Sequence, residues 1–155
     1  MSGEAHPRWL FVYGTLMSDF HNHRRYARDA VSIREASCAG TLYHLPEGYP
    51  VLLDEGGERE ARGRVRGEAL AFLDFERALR RLDRLEGYDR RREEGNLFVR
   101  ARRRIQIAGV GARWGWVYIA PPEKASEIAR RGTAVPDGDW RKFASKLQRP
   151  MSPDP

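Results

Sequence analysis

The sequence predicts an α+β domain wrapped around a strongly curved or closed sheet, and three observations carry that prediction. Short apolar or alternating runs recur along most of the chain. One long amphipathic helix, residues 74–86, lies among them, and two short helical stretches follow the last run. At 155 residues, with 41% hydrophobic residues including four Trp, six Tyr and six Phe, the chain can bury a real core.

In chain order, WLFVY at 9–13 is an apolar run stopped by Gly14, the pattern of a buried strand. Residues 21–28 read as a polar helix or turn. Further strands are expected at 39–43, 49–53 and 64–72. The helix at 74–86, DFERALRRLDRLE, repeats Phe75, Ala78, Leu79, Leu82 and Leu85 at helical spacing, with its arginines on the other side.

Residues 98–107 alternate Val99, Ala101, Ile105 and Ile107 against Arg100, Arg102, Arg104 and Gln106, as a half-buried strand does. Arg103 interrupts the apolar face, which suggests a bulge or a sheet edge. Residues 113–119 set Trp114, Trp116 and Tyr118 on one face, a stripe that reads as core. Helices are expected near 123–131 and 139–147. The domain therefore spans 9–148, with flexible ends at 1–8 and 149–155.

Cys38 is the only cysteine, so the chain can form no internal disulfide, and a reducing, cytoplasmic setting is expected. No apolar run reaches the ~20 residues of a membrane span. Of the 28 basic residues only Lys124, Lys142 and Lys146 are lysines, and the net charge is +6. The run from Arg100 to Arg104 is the best patch for a nucleic acid, but a solvated strand face is the simpler reading.

The most informative residue is Glu86. Eleven residues make about three turns, so Glu86 falls within roughly 20° of Phe75, on the core-facing stripe. A buried carboxylate needs a partner, a proton or a function. Two readings follow: a helix-terminal glutamate that snorkels to solvent or pairs with one of many arginines, or a carboxylate whose pKa burial and the helix dipole raise toward neutrality for proton transfer. The turn Tyr13-Gly14-Thr15-Leu16 is the second candidate, because backbone N–H groups beside a glycine can approach an anion. Tyr118 adds a hydroxyl at the end of the aromatic stripe. His6, His21, His23 and His44 lack metal-ligand spacing and no phosphate-binding loop is present, so a cofactor-free reaction is expected.

Several motifs occur in a fixed order: FVYGTLM at 11–17, GTLYHLPEGYPVLL at 40–53, VRGEALAF at 65–72, LDRLEGYD at 82–89, LFVRARRRIQI at 97–107 and WVYIA at 116–120. In this set the chain resembles the γ-glutamylcyclotransferase-like superfamily, in the short form that includes γ-glutamylamine cyclotransferases and plant avirulence-induced proteins. The resemblance implies a small mixed β-barrel flanked by helices. It implies that backbone groups of Tyr13, Gly14, Thr15 and Leu16 hold a γ-glutamyl substrate, with Glu86 as the acid/base. It also implies that Tyr118 lines the pocket and Tyr49, within Gly48-Tyr49-Pro50, forms part of its rim. Phe98 departs from the tyrosine often found there in the family, while Arg100 keeps the family's arginine. The alternative is a small-ligand-binding or interaction module that keeps the pocket without turnover.

Overall fold

A computed structural model describes residues 7–54 and 63–147. Both ends predicted flexible therefore lie outside the described residues, except for Pro7 and Arg8. Eight strands occur among the described residues: β1 (Leu10–Val12), β2 (Ser32–Ala39), β3 (Thr41–His44), β4 (Pro50–Leu53), β5 (Arg64–Ala71), β6 (Val99–Ile107), β7 (Gly111–Ile119) and β8 (Thr133–Ala134). The helices are α1 (His21–Tyr26), α2 (Phe75–Leu85), α3 (Ala125–Arg131) and α4 (Trp140–Leu147).

Five strands close into a barrel in the order β1-β5-β2-β6-β7. The β1–β7 pair is parallel and the other pairings are antiparallel, so the barrel is mixed. A second sheet, β4-β3-β8, lies in the same fold. The predicted small mixed barrel with flanking helices is the architecture observed. No helix of the described residues is long and apolar enough to cross a membrane.

Two strands were not legible in the sequence. β2 carries an almost wholly half-buried or exposed pattern, with only Cys38 buried, so it lacks the apolar alternation that marks a strand. The predicted strand at 39–43 overlaps β3 at 41–43, but its first two residues are the end of β2 and the junction between the strands. Gly40 sits there at φ +149°, and a Cβ on it would lie 2.9 Å from Leu52 Cδ2. β8 has only two residues, both exposed.

The arginine strand also differs from expectation. Register between β6 and β7 runs unbroken from Val99↔Ile119 to Ile107↔Gly111, so there is no bulge at Arg103. Arg103 instead pairs with Asp54 beyond β4, which explains a charge on that face. Trp114 and Trp116 are half-buried rather than core. They lie beneath guanidinium groups: Arg100 is 4.4 Å from the Trp116 ring centroid, with Arg102 and Arg104 at 5.4 and 5.8 Å from that of Trp114. The barrel interior is filled from the other face of β7, where Val117 is fully buried and Gly115 faces Ile105.

Helix α2 buries Phe75, Ala78, Leu79 and Leu82, each large side chain contributing about 1.5–3 kcal/mol. Asp74 caps its start by accepting the Arg77 N–H at 3.1 Å. Its end is a Schellman motif. The Tyr88 N–H donates to the Asp83 carbonyl (2.9 Å) and the Gly87 N–H to that of Arg84 (3.3 Å), with Gly87 at φ +67°.

Barrel closure depends on close backbone approach at Gly67 of β5. A Cβ there would fall 2.0 Å from the Val12 carbonyl oxygen of β1, and neither strand can withdraw without losing the ladder. Gly67→Ala is therefore expected to destabilise the fold by roughly 1–3 kcal/mol or more, read as a lower urea midpoint. An unchanged midpoint would show that the β1–β5 approach is not limiting.

Candidate active site

A cavity of about 330 Å³ opens at one end of the barrel. It is walled by the turn after β1, the loop before β4, the end of α2, the segment entering β6 and the end of β7. Tyr13, Gly14, Thr15, Leu16, Tyr49, Glu86 and Tyr118 all line it. Seven residues scattered over more than a hundred positions thus share one space.

Glu86 is placed by the end of α2. As the C-cap residue it leaves the helix at φ −85°, ψ 3°, with its N–H still bonded to the Leu82 carbonyl at 2.9 Å. It is enclosed by the cavity wall and keeps only part of its surface open to the cavity. Among the described residues its carboxylate has no hydrogen-bond or ion-pair partner, so the arginine-paired reading does not hold in this structure. Desolvation pushes its pKa up to about 7.

The turn after β1 is held from several sides. Its own bond, from the Met17 N–H to the Gly14 carbonyl (3.0 Å), leaves the Thr15 and Leu16 N–H groups without an acceptor among the described residues. The glycine at position 14 has a packing cause: a Cβ would meet Pro50 Cγ at 2.7 Å. Asn22 of α1 donates to the Thr15 hydroxyl at 2.8 Å and itself lines the cavity. Buried His23 places Nδ1 2.8 Å from the Leu16 carbonyl, a contact that requires the proton on Nδ1. Buried Glu68 accepts from the Ser18 N–H and hydroxyl at 2.6 and 2.5 Å and fixes the far end of the turn.

The tyrosines divide by role. The Tyr13 hydroxyl donates to the Tyr118 carbonyl (2.6 Å) and accepts from the Leu52 N–H (3.2 Å), tying the turn after β1 to β7 and β4. Burial raises its pKa far above the phenol range, so it stays protonated. Tyr118 presents its ring to the cavity, but its hydroxyl donates to Asp83 at 2.7 Å, so its proton is already committed. Tyr49 packs against Phe98 with ring centroids 6.0 Å apart, and its pKa is raised by burial and then by Glu47. Among the described residues no group of three or more His, Cys, Asp or Glu could hold a metal ion.

The family model described as gamma-glutamyl cyclotransferase, AIG2-like, matches residues 10–142. The chain belongs to this family. A curated relative, the gamma-L-glutamyl-butirosin B gamma-glutamyl cyclotransferase of Niallia circulans, is 36% identical over 110 residues. That stretch covers 71% of this cyclotransferase-family chain and 65% of the relative, so the chain spans a little under two thirds of the relative's length. Solved structures share the fold. An AIG2-like protein from Mus musculus superposes with TM-score 0.64 at 21% identity, covering 95% of this chain and 98% of its own. YkqA from Bacillus subtilis gives 0.63 at 22% identity, covering 93% and 44% respectively.

Sequence reasoning missed Asn22 and Glu47, which line this cyclotransferase-family cavity, and Asp83, which holds the Tyr118 hydroxyl from behind its wall. Asn22 sits in a polar hexapeptide with no periodicity. Asp83 looks like one more polar residue of an arginine-rich helix, although its i, i+3 spacing from Glu86 was a usable signal. Glu47 lines the cavity mouth and pairs with Arg131 at 2.8 Å.

Two stability effects follow. Tyr13→Phe leaves the Leu52 N–H and Tyr118 carbonyl unpaired in the core, so a loss of about 1–3 kcal/mol is expected in urea denaturation. Glu86 takes up its proton more readily when folded (about 7) than its ordinary value of 4.5 allows, so stability falls as pH rises between those values. Glu86→Gln should therefore be more stable than wild type at pH 8, by up to about 3 kcal/mol, and no more stable at pH 4. Equal midpoints at pH 8 would show that Glu86 ionises freely.

Proposed function

We propose that this protein is a cofactor-independent γ-glutamyl cyclotransferase that closes a γ-glutamyl amide to 5-oxoproline and releases an amine, with Glu86 as general acid/base. The observation that carries this reading is an unpartnered carboxylate with a pKa near 7, facing the same cavity as the turn after β1.

In the reaction the substrate's α-amine nitrogen attacks its own γ-carbonyl carbon, forming the ring C–N bond. Glu86 takes the proton from that nitrogen. As the tetrahedral intermediate collapses, the bond to the leaving nitrogen breaks and Glu86 returns the proton there, so the carboxylate ends as it began. The α-amine attacks in its neutral form, so Glu86 must start as the carboxylate, and one whose pKa is raised to about 7 takes up the proton more readily than an ordinary glutamate. Thr15 and Leu16 N–H groups and the Thr15 hydroxyl supply donors for the substrate's α-carboxylate. Both reacting groups belong to one molecule, so holding it folded is much of the task, and a small rigid cavity suits that.

The described residues lining the cavity include two carboxylates, Glu47 and Glu86, and no Lys, Arg or His. That supports a leaving amine that is neutral or cationic beyond its reacting nitrogen. The relative from Niallia circulans is named for a gamma-L-glutamyl-butirosin B substrate, a γ-glutamyl compound of the class proposed here.

The test is 5-oxoproline release from a panel of γ-glutamyl amines and γ-glutamyl amino acids. Wild type should release product with kcat/KM rising through about pH 7, where Glu86 loses its proton. Glu86→Gln should lose roughly 10²–10⁴-fold. Saturable binding without release across the panel would favour the non-catalytic module; equal release by the variant would remove Glu86 from the mechanism.

A further inference from the structure

Behind the cavity wall lies a group of side chains that the reaction above does not use. Arg100 of β6 grips Asp83 of α2 with a fork, Nε to Oδ1 at 2.8 Å and Nη2 to Oδ2 at 3.2 Å. Asp83 Oδ1 also accepts the Tyr118 hydroxyl at 2.7 Å. Both ion-pair side chains are largely enclosed, with 14% and 19% of their surface exposed. The guanidinium lies over the rings of Trp116 (4.4 Å to the centroid) and Tyr88 (5.7 Å).

We propose that Asp83 and Arg100 are positioning residues for Glu86: the pair fixes Tyr118 as the cavity wall and, being mutually neutralised, keeps Asp83 from acting on Glu86 as a like charge. Asp83 and Glu86 are three residues apart, hence neighbours on one helix face. Both lie close enough to the Tyr118 hydroxyl to act on its ionisation. A buried carboxylate one turn from the proton carrier would hold that carrier's proton too tightly at neutral pH. Arg100 cancels the effect without entering the cavity. A fork on a stacked, planar cation suits this task because its geometry is rigid.

The other groups facing Glu86 do not offer the same control. Tyr13 and Tyr118 are phenols raised well above neutrality, and Tyr49 is raised as well. Glu47 at the mouth is held by Arg131 and lowered by it, so it stays ionised across the neutral range.

This inference rests on the cyclotransferase reading, and its test separates the two. The Glu86 carboxyl carbon is followed by NMR titration in glutamate-labelled protein, its resonance assigned from the Glu86→Gln spectrum. Removing only the cation with Arg100→Gln should raise the Glu86 midpoint, on the order of one pH unit. Removing only the anion with Asp83→Asn, which keeps an acceptor for Tyr118, should lower it by a similar amount. The double variant should return near the wild-type midpoint, and Arg100→Lys should stay close to it. The pH at which kcat/KM rises should move with each midpoint. Loosening of the wall alone would hydrate Glu86 and move both single variants downward, so same-direction shifts or no shifts overturn the proposal. Absence of 5-oxoproline release by wild type would overturn the enzymatic reading while leaving the titration outcome intact.

Discussion

The way α2 stops is the constraint on which the site depends. Gly87 takes a left-handed conformation open to few side chains, and a Cβ there would sit 2.9 Å from Leu97 Cβ. The Leu97 N–H in turn donates to the Gly87 carbonyl at 3.1 Å. The helix end is thus locked to the segment that enters β6, and the C-cap residue has a fixed direction. That residue is a glutamate on the apolar stripe, so it is delivered into the cavity with no cation among the described residues to meet it. Its desolvation is a standing cost to the fold, and the Phe75, Ala78, Leu79 and Leu82 face offsets it.

The opposite wall is built by a different device. The Tyr13 hydroxyl takes one hydrogen bond and gives another, so a single side chain ties the turn after β1 to two strands from two different sheets. Gly14 then lets Pro50 pack directly on the turn. Asn22 and His23, from α1, hold Thr15 and Leu16 from outside. Held in this way, the turn keeps the Thr15 and Leu16 backbone N–H groups free of acceptors among the described residues. Donors of this kind cannot ionise or change rotamer, and so they suit an anionic group that must be held in one orientation.

The sequence made the long elements legible and the small ones illegible, for physical reasons. α2 shows because one face is purely apolar. β6 shows because period-two alternation survives nine residues. β2 does not show, since only Cys38 of its eight residues is buried and its place in the barrel is set by its neighbours' ladders. In the site, Glu86 stood out because a charge on an apolar stripe breaks a pattern. Asp83, Asn22 and Glu47 break none. Tyr118 lines the cavity with its ring, but its hydroxyl is held by Asp83. Its partner lies 35 residues away on a helix, and such a pairing leaves no periodic trace.

The arginines of β6 show how one residue type can serve two ends on one strand. Arg102 and Arg104 lie on the outer face with Trp114, where cation and ring shield each other, and their solvent exposure keeps the electrostatic worth of each contact modest. Arg100 starts the same row but is enclosed by Trp116, Tyr88 and Asp83, so its charge acts at short range in a medium that screens poorly. A lysine could neutralise Asp83 but could not supply the same fork while its cation lies over Trp116. What makes Arg100 matter to the cavity is burial beside α2, a property of the fold that the arginine run shares at no other position along its outer face.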